Sequence, residues 1–331
     1  MIYLLRFADP KMSPAALTIE SELKAFELLF KDAVKSNVPL LDRILKYIVR
    51  TKGKQLRPMF VLLSAKLCGG INESTYRAAS VVELLHTATL VHDDVVDEAG
   101  ERRGFFSLSA LWKNKASVLV GDYLLAKGLL LSLQNKDFRI LEILSDAVRQ
   151  MSEGELLQLE KARMLNIKEE DYFEIIRNKT ASLLASACAA GAFSASQDPE
   201  LTEKMRLFGE YAGIAFQIKD DLFDYGTDDV GKPTGNDIRE KKLTLPLIFT
   251  LKNTTPDKKR RIIYILKNKN KSRKEIDEVI DEVIQCGGID YATEQMNTYK
   301  EKALSMIESF TEGQEKTALT ALVKFTTERK K

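Results

Sequence analysis

Residues 91–104 read VHDDVVDEAGERRG, placing Asp93, Asp94 and Asp97 just before the adjacent Arg102 and Arg103. On a helix, Asp93 and Asp97 project from one face four residues apart, with Asp94 about a hundred degrees round. Bare carboxylates at that spacing repel, and an isolated DDxxD is most often a solvated helix end. Here Leu90, Val91, Val95 and Val96 surround the aspartates, so burial of much of the turn is predicted. A second copy, FQIKDDLFDY, sets Asp220, Asp221 and Asp224 in equally apolar surroundings. Two carboxylate clusters of one design suit hard divalent cations. Magnesium takes oxygen ligands octahedrally and typically uses one or two carboxylates plus substrate phosphates. The two clusters therefore predict a phosphorylated substrate held with magnesium.

Basic residues supply the other half of such a site. Besides Arg102 and Arg103, GKQLRP offers Lys54 and Arg57, RNKTA offers Lys179, and the loop after Asp224 offers Lys232, Lys241 and Lys242. Any one alone reads as a surface charge. Arginine forks match phosphate oxygens and lysine supplies a point charge, so two metal clusters with this many cations imply more than one diphosphate. His86 and His92 are the only histidines. His86 lies seven residues before Asp93, two turns away on the same face, and is a candidate diphosphate contact.

The elements that must position these groups are helical. Between Met59 and Asp198 there is no proline, the strongest helix breaker. Ala79, Val82, Leu85, Thr89 and Val96 recur at helical spacing, with Gly100 as a stop. Phe173, Ile176, Leu183 and Ala187 form a second stripe on one continuous helix with Asp171 as its cap. No alternating strand pattern of useful length occurs. DYGTDDVGKPTGNDIREKK reads as an ordered loop. The pattern predicts one all-α domain over residues 1–331, with residues 1–12 as a disordered or mis-started N-terminus and Met12 as an alternative start. The most apolar stretch, SVLVGDYLLAKGLLLSL, is interrupted by Asp122 and Lys127, so a soluble protein is expected. A formal charge of +2 is too small to track nucleic acid. Three distant cysteines without a CxxC pair argue against disulfides or zinc and suit a reducing cytoplasm.

From about Lys46 to Pro246 the chain resembles the trans-type polyprenyl diphosphate synthases. It carries, in order, GKQLRP, ELLHTATLVHDDVVDEAGERRG, SVLVGDYLLAKG, GELLQLE, NKTASLL and FQIKDDLFDYGTDDVGKPTGNDIREKKLTLP, with CGGIDYA further on. The resemblance implies a large helical bundle of the isoprenoid synthase type with a central cavity. It implies that Lys54, Arg57, His86 and Arg103 hold isopentenyl diphosphate. Asp93, Asp97 and Asp220 would bind magnesium directly, three ions per active site with the allylic diphosphate, supported by Asp94, Asp221 and Asp224. Arg102, Lys179, Lys232 and Lys242 would grip the allylic diphosphate, with Lys241 a rival for Lys242. Thr180 and Gln217 would orient the leaving oxygen and the allylic cation, and Asp237 is the loop acid of the second motif. A homodimer is implied as well.

Ala88 and Thr89, one to two turns before Asp93, are small where short-chain relatives carry bulky aromatics, so an open tunnel lined there and at Leu85 is expected. Its floor is expected among Leu129 to Leu133. That points to a medium or long all-trans product grown from a primer such as farnesyl diphosphate, serving as a quinone side-chain precursor. A geranylgeranyl diphosphate synthase differs only in tunnel depth. A class I terpene cyclase needs no second diphosphate site, and a non-catalytic partner subunit needs neither carboxylate cluster.

Overall fold

The computed structural model describes residues 13–50, 55–96, 101–102, 105–164, 167–226, 234–268 and 270–328. Lys54, Asp97, Gly100, Arg103 and Lys232 lie outside the described residues. The described chain is helical almost throughout. Its first helices are α1 (Ser13–Thr18), α2 (Glu20–Ala33), α3 (Pro39–Arg50), α4 (Leu56–Leu67) and α5 (Glu73–Val96). A two-residue ribbon pairs β1 (Glu101–Arg102) antiparallel with β2 (Phe105–Phe106), and Arg102 belongs to it. There follow α6 (Leu108–Gln134), α7 (Phe138–Met164), α8 (Glu169–Ile176), a π-helical turn (Arg177–Ala181), α9 (Ser182–Ser196) and α10 (Pro199–Leu222). The chain closes with α11 (Asn236–Arg239), α12 (Leu245–Asn253), α13 (Pro256–Lys267), α14 (Arg273–Gln285), α15 (Gly288–Glu308) and α16 (Gln314–Glu328). The all-α expectation holds.

The chain divides into two compact units, the first comprising residues 1–148, 186–206 and 310–319, the second 149–185, 207–309 and 320–331. In the first unit α5 is the central helix. Every residue from Ala78 to His86 is buried, so its apolar character runs all the way round. Asn72 caps it, its side-chain oxygen accepting from Thr75 N at 3.0 Å. Of the predicted stripe, Ala79, Val82 and Leu85 are buried and Thr89 is half-buried, but Val96, the last described residue of α5, is 61% exposed.

α6 packs along α5 through Gly121, Leu124 and Gly128. By length and composition α6 is the one helix among the described residues apolar enough to cross a membrane, with a third of its apolar window (33%) buried inside the protein. Leu129, Leu130 and Leu133, among which the tunnel floor is expected, are exposed on it. The residue of that stretch that meets α5 is Gly128, at ordinary contact distance from Val81, Leu84 and Leu85.

The second unit has a core of Ile214, Ile218, Leu245, Leu247, Val279 and Val283 with their neighbours. The expected continuous helix after Asp171 is broken: α8 gives way to the π-helical turn, in which Ser182 N donates to Arg177 O. Asp171 is not the cap itself. It sits two residues inside α8 and reaches back to accept from Lys168 N at 2.9 Å, with Lys161 2.7 Å away as its ion pair.

Candidate active site

In the first unit, α4 and α5 bring Arg57 and His86 together, with Arg57 Nη1 2.9 Å from His86 Nε2. A guanidinium only donates, so Nε2 accepts and is unprotonated, and the imidazole is neutral. Two turns on, Asp94 is 5% exposed while Asp93 is half-buried. Ser109 Oγ donates to the Asp94 carbonyl at 3.3 Å, tying this turn to the start of α6. Ala88 is fully buried, Leu85 nearly so and Thr89 half-buried, its hydroxyl donating to His86 O at 2.9 Å.

In the second unit, the end of α10 repeats the alternation of the first cluster: Asp220 is exposed and Asp221 is buried. Both carboxylate oxygens of Asp221 are engaged, accepting from Tyr172 Oη at 2.7 Å and from Gln217 Nε2 at 2.8 Å. Thr180 Oγ1 in turn donates to Gln217 Oε1 at 2.8 Å. One chain of hydrogen bonds thus links the π-helical turn to the second aspartate cluster. Asp224 is engaged too, its oxygens accepting from Asn236 N at 2.8 Å and Asp237 N at 3.0 Å. Asp221 and Asp224 are thus hydrogen-bonded through their carboxylates, and Asp220 is exposed at the end of α10.

Lys179 points to Glu155 (Nζ–Oε2 2.5 Å) and Gln158 (3.2 Å), both in the GELLQLE segment of α7. Its ammonium must exchange Glu155 for a phosphate to act on substrate. Gly154 sets the approach, since a Cβ there would fall 2.7 Å from Lys179 N and 2.9 Å from Asn178 Cβ. From the other side, a Cβ on Gly213 of α10 would fall 2.6 Å from Ala181 Cα. The two neighbouring lysines also separate. Lys241 Nζ reaches the carbonyl of Lys267, whereas the charge of Lys242 lowers the pKa of Asp237, and its backbone N–H donates to Asp237 O at 2.8 Å.

The polyprenyl synthetase family model matches residues 38–283. The all-trans-nonaprenyl-diphosphate synthase of Rhodobacter capsulatus is 35% identical over 94% of this chain and 96% of its own. A polyprenyl synthase from Caulobacter crescentus, complexed with calcium and isoprenyl diphosphate, superposes with a TM-score of 0.90 at 33% identity, covering 97% of this chain and 98% of that one. A geranylgeranyl pyrophosphate synthase from Bacteroides thetaiotaomicron is 38% identical, with a TM-score of 0.83 over 97% of this chain and 100% of that one. The chain belongs to the polyprenyl synthetase family. It is a prenyltransferase with the all-α isoprenoid synthase fold.

The donors of this synthase fit a hard cation. Burial and the negative charge of Asp237 push Asp221 up to about 8, against the pull of Tyr172 and Gln217. Burial and Asp224 push Asp237 up to about 7, and burial raises Asp224 as well. Burial is the first cause in all three, and a divalent ion beside them would favour their ionised form. Among the described residues no three His, Cys, Asp or Glu side chains stand close enough to hold an ion unaided.

A pH dependence follows. In the metal-free synthase these acids bind protons in the folded state that the unfolded chain, with its ordinary value of 3.8, has released. Unfolding free energy therefore falls as pH rises from 3.8 towards about 8. Thermal midpoints taken between pH 5 and 8 should decline without divalent ions, flatten when magnesium and pyrophosphate are added, and decline less steeply in Asp221→Asn. A midpoint rising with pH in metal-free buffer would contradict this.

Three groups escape sequence reasoning. Tyr172 reads as one more apolar helix residue beside the Phe173 stripe, and its hydroxyl finds Asp221 only through the tertiary fold. Glu155 and Gln158 sit in a segment whose resemblance is visible but whose partner, Lys179, is not. The π-helical turn leaves no signal in residue type at all.

Proposed function

We propose that this synthase condenses isopentenyl diphosphate head-to-tail with an allylic diphosphate such as farnesyl diphosphate, with Mg2+, to make a medium or long all-trans polyprenyl diphosphate that serves as a quinone side-chain precursor. What carries the reading is the repeated carboxylate arrangement, in which a half-buried Asp93 and an exposed Asp220 are each followed by a buried aspartate (Asp94, Asp221). Magnesium, when bound, neutralises the departing diphosphate, so that the allylic carbon–oxygen bond ionises. Asp93, Asp97 and Asp220 hold it, and Asp94, Asp221 and Asp224 fix the surrounding backbone and side chains.

Lys179, Lys242, Arg102 and Lys232 bind the allylic diphosphate and stabilise the charge that grows on it. Thr180 and Gln217, already hydrogen-bonded to each other, orient the leaving oxygen and face the cation with a carbonyl dipole. Arg57 and neutral His86, with Lys54 and Arg103, hold isopentenyl diphosphate with its double bond towards that cation, so proximity supplies much of the acceleration. The proton lost after attack passes to the released diphosphate, and no carboxylate is required as base. Ala88 and Thr89 carry no bulky aromatic that would close the first level of the tunnel.

The 38% identity to a geranylgeranyl pyrophosphate synthase supports a second reading, in which growth stops at four isoprene units. Incubation with magnesium, labelled isopentenyl diphosphate and farnesyl diphosphate, followed by chromatography of the dephosphorylated products, separates the two. A ladder running well past four units supports the first reading, and chains ending at four support the second. No incorporation into any chain would sink both.

The two units are proposed to work as one catalytic domain, and the protein as a cytoplasmic homodimer. The three cysteines, all free, suit a reducing compartment. On α6, Val118, Leu119, Leu130 and Leu133 are 41–61% exposed along one stripe, a face suited to a second copy of the chain. Leu119→Glu/Leu130→Glu should sediment as a monomer where the parent sediments as a dimer, and a parent that is itself monomeric at micromolar concentration would refute the dimer.

A further inference from the structure

We propose that His92, seated in the gap left by Gly121, is the positioning residue that fixes how Asp93 and Asp94 leave α5 and thereby sets the affinity of the synthase for its divalent cation. The inference rests on the metal-binding reading of those aspartates. His92 Nε2 lies 3.3 Å from the Val118 carbonyl and 3.5 Å from Asp122 Oδ1, both on α6. Both neighbours accept, so Nε2 carries a hydrogen and donates to this edge of α6. The ring occupies the space where any side chain at position 121 would stand: a Cβ there would fall 2.2 Å from Nε2, 2.5 Å from Cδ2 and 2.8 Å from Cε1. Gly121 is therefore a socket and His92 the peg.

The same turn of α5 is held at a second point, where Ser109 Oγ donates to the Asp94 carbonyl at 3.3 Å. Ser109 and Gly121 are twelve residues apart on α6, about 18 Å along a straight helix, too far for both to meet one turn. They do so because α6 breaks at Lys113, whose φ of 67° and ψ of 160° are not helical. A helix end clamped on both sides of the metal ligands is the arrangement by which supporting contacts aim a coordinating side chain. Losing such support typically weakens metal binding about 10- to 100-fold.

Ordinary helix packing is the competing explanation, and Gly128 on the same helix provides its control. A Cβ at Gly128 would sit 3.5–3.8 Å from Val81, Leu84 and Leu85, ordinary van der Waals contact, so an alanine is accommodated there. The test uses the full-length protein as Gly121→Ala, His92→Ala, Gly121→Ala/His92→Ala and Gly128→Ala. Mn2+ binding in the presence of pyrophosphate is read by electron paramagnetic resonance of the free ion, alongside KM for isopentenyl diphosphate at saturating metal and the thermal midpoint.

Gly121→Ala should weaken Mn2+ binding about tenfold, with KM for isopentenyl diphosphate changing less than about twofold, because the ring is evicted and the turn loses its aim. In the double variant nothing remains to clash, so binding should recover to that of His92→Ala, about threefold weaker than the parent. Gly128→Ala should bind as the parent does. If Gly121→Ala lowers the thermal midpoint yet binds Mn2+ normally, or the double variant binds no better than Gly121→Ala, the inference is overturned while the metal reading stands. A parent that binds no Mn2+ with pyrophosphate overturns the metal reading and the inference together.

Discussion

Asp220→Ala is expected to lower kcat for isopentenyl incorporation about 10^3-fold, roughly 4 kcal/mol of transition-state stabilisation, the scale of one electrostatic group lost from a site built to ionise a leaving group. The fold should tolerate the change. Asp220 is exposed at the end of α10, so its loss opens no buried cavity. Asp221→Ala is a different experiment, because Tyr172 Oη and Gln217 Nε2 would both lose their acceptor in a buried place. The comparison is therefore made at Asp220, by single-turnover kinetics at saturating magnesium, with circular dichroism as the check on folding. A loss below about tenfold would move the metal away from this carboxylate, since one displaced supporting contact accounts for an effect of that size.

Thr89→Phe is expected to change the product rather than the rate. Thr89 lies four residues before Asp93 on the same side of α5 and is half-buried, so a ring can enter there without overpacking the core. Filling the first level of the tunnel should end chains at three or four isoprene units, whatever length the parent reaches. Ala88→Phe is the poorer probe. Ala88 is fully buried, and a ring forced into a packed position costs typically 1–3 kcal/mol, about enough to confuse product length with loss of protein. Chromatography of dephosphorylated products decides the matter: an unshortened ladder from a folded Thr89→Phe enzyme would place the growing chain elsewhere.

What was legible beforehand was whatever a short stretch of sequence contains whole. The two aspartate clusters, the apolar residues that bury their second members, and the helices that carry them are each readable within a dozen positions. Arg57 and His86 were assigned to one ligand by resemblance, and they do meet across α4 and α5. Contacts between distant segments were not legible. Tyr172 and Asp221 are 49 positions apart, and nothing in either stretch names the other. Val96 fits a stripe by spacing, yet it is exposed. Lys241 and Lys242 differ only in which backbone turn each follows, so only coordinates separate them.

The π-helical turn at Arg177–Ala181 bears on ancestry as well as on geometry. A wide turn holds one residue more than the α-helix on either side of it, so it amounts to a single-codon insertion, with α8 and α9 keeping the buried faces they would show if the extra residue had never arrived. Gly154 and Gly213 make room for it from opposite sides, while Lys179 and Thr180 ride on it. A lineage that deleted one residue here would keep the present faces of α8 and α9 while turning Lys179 and Thr180 away from Glu155 and Gln217, so its fold should outlast any role those two side chains have.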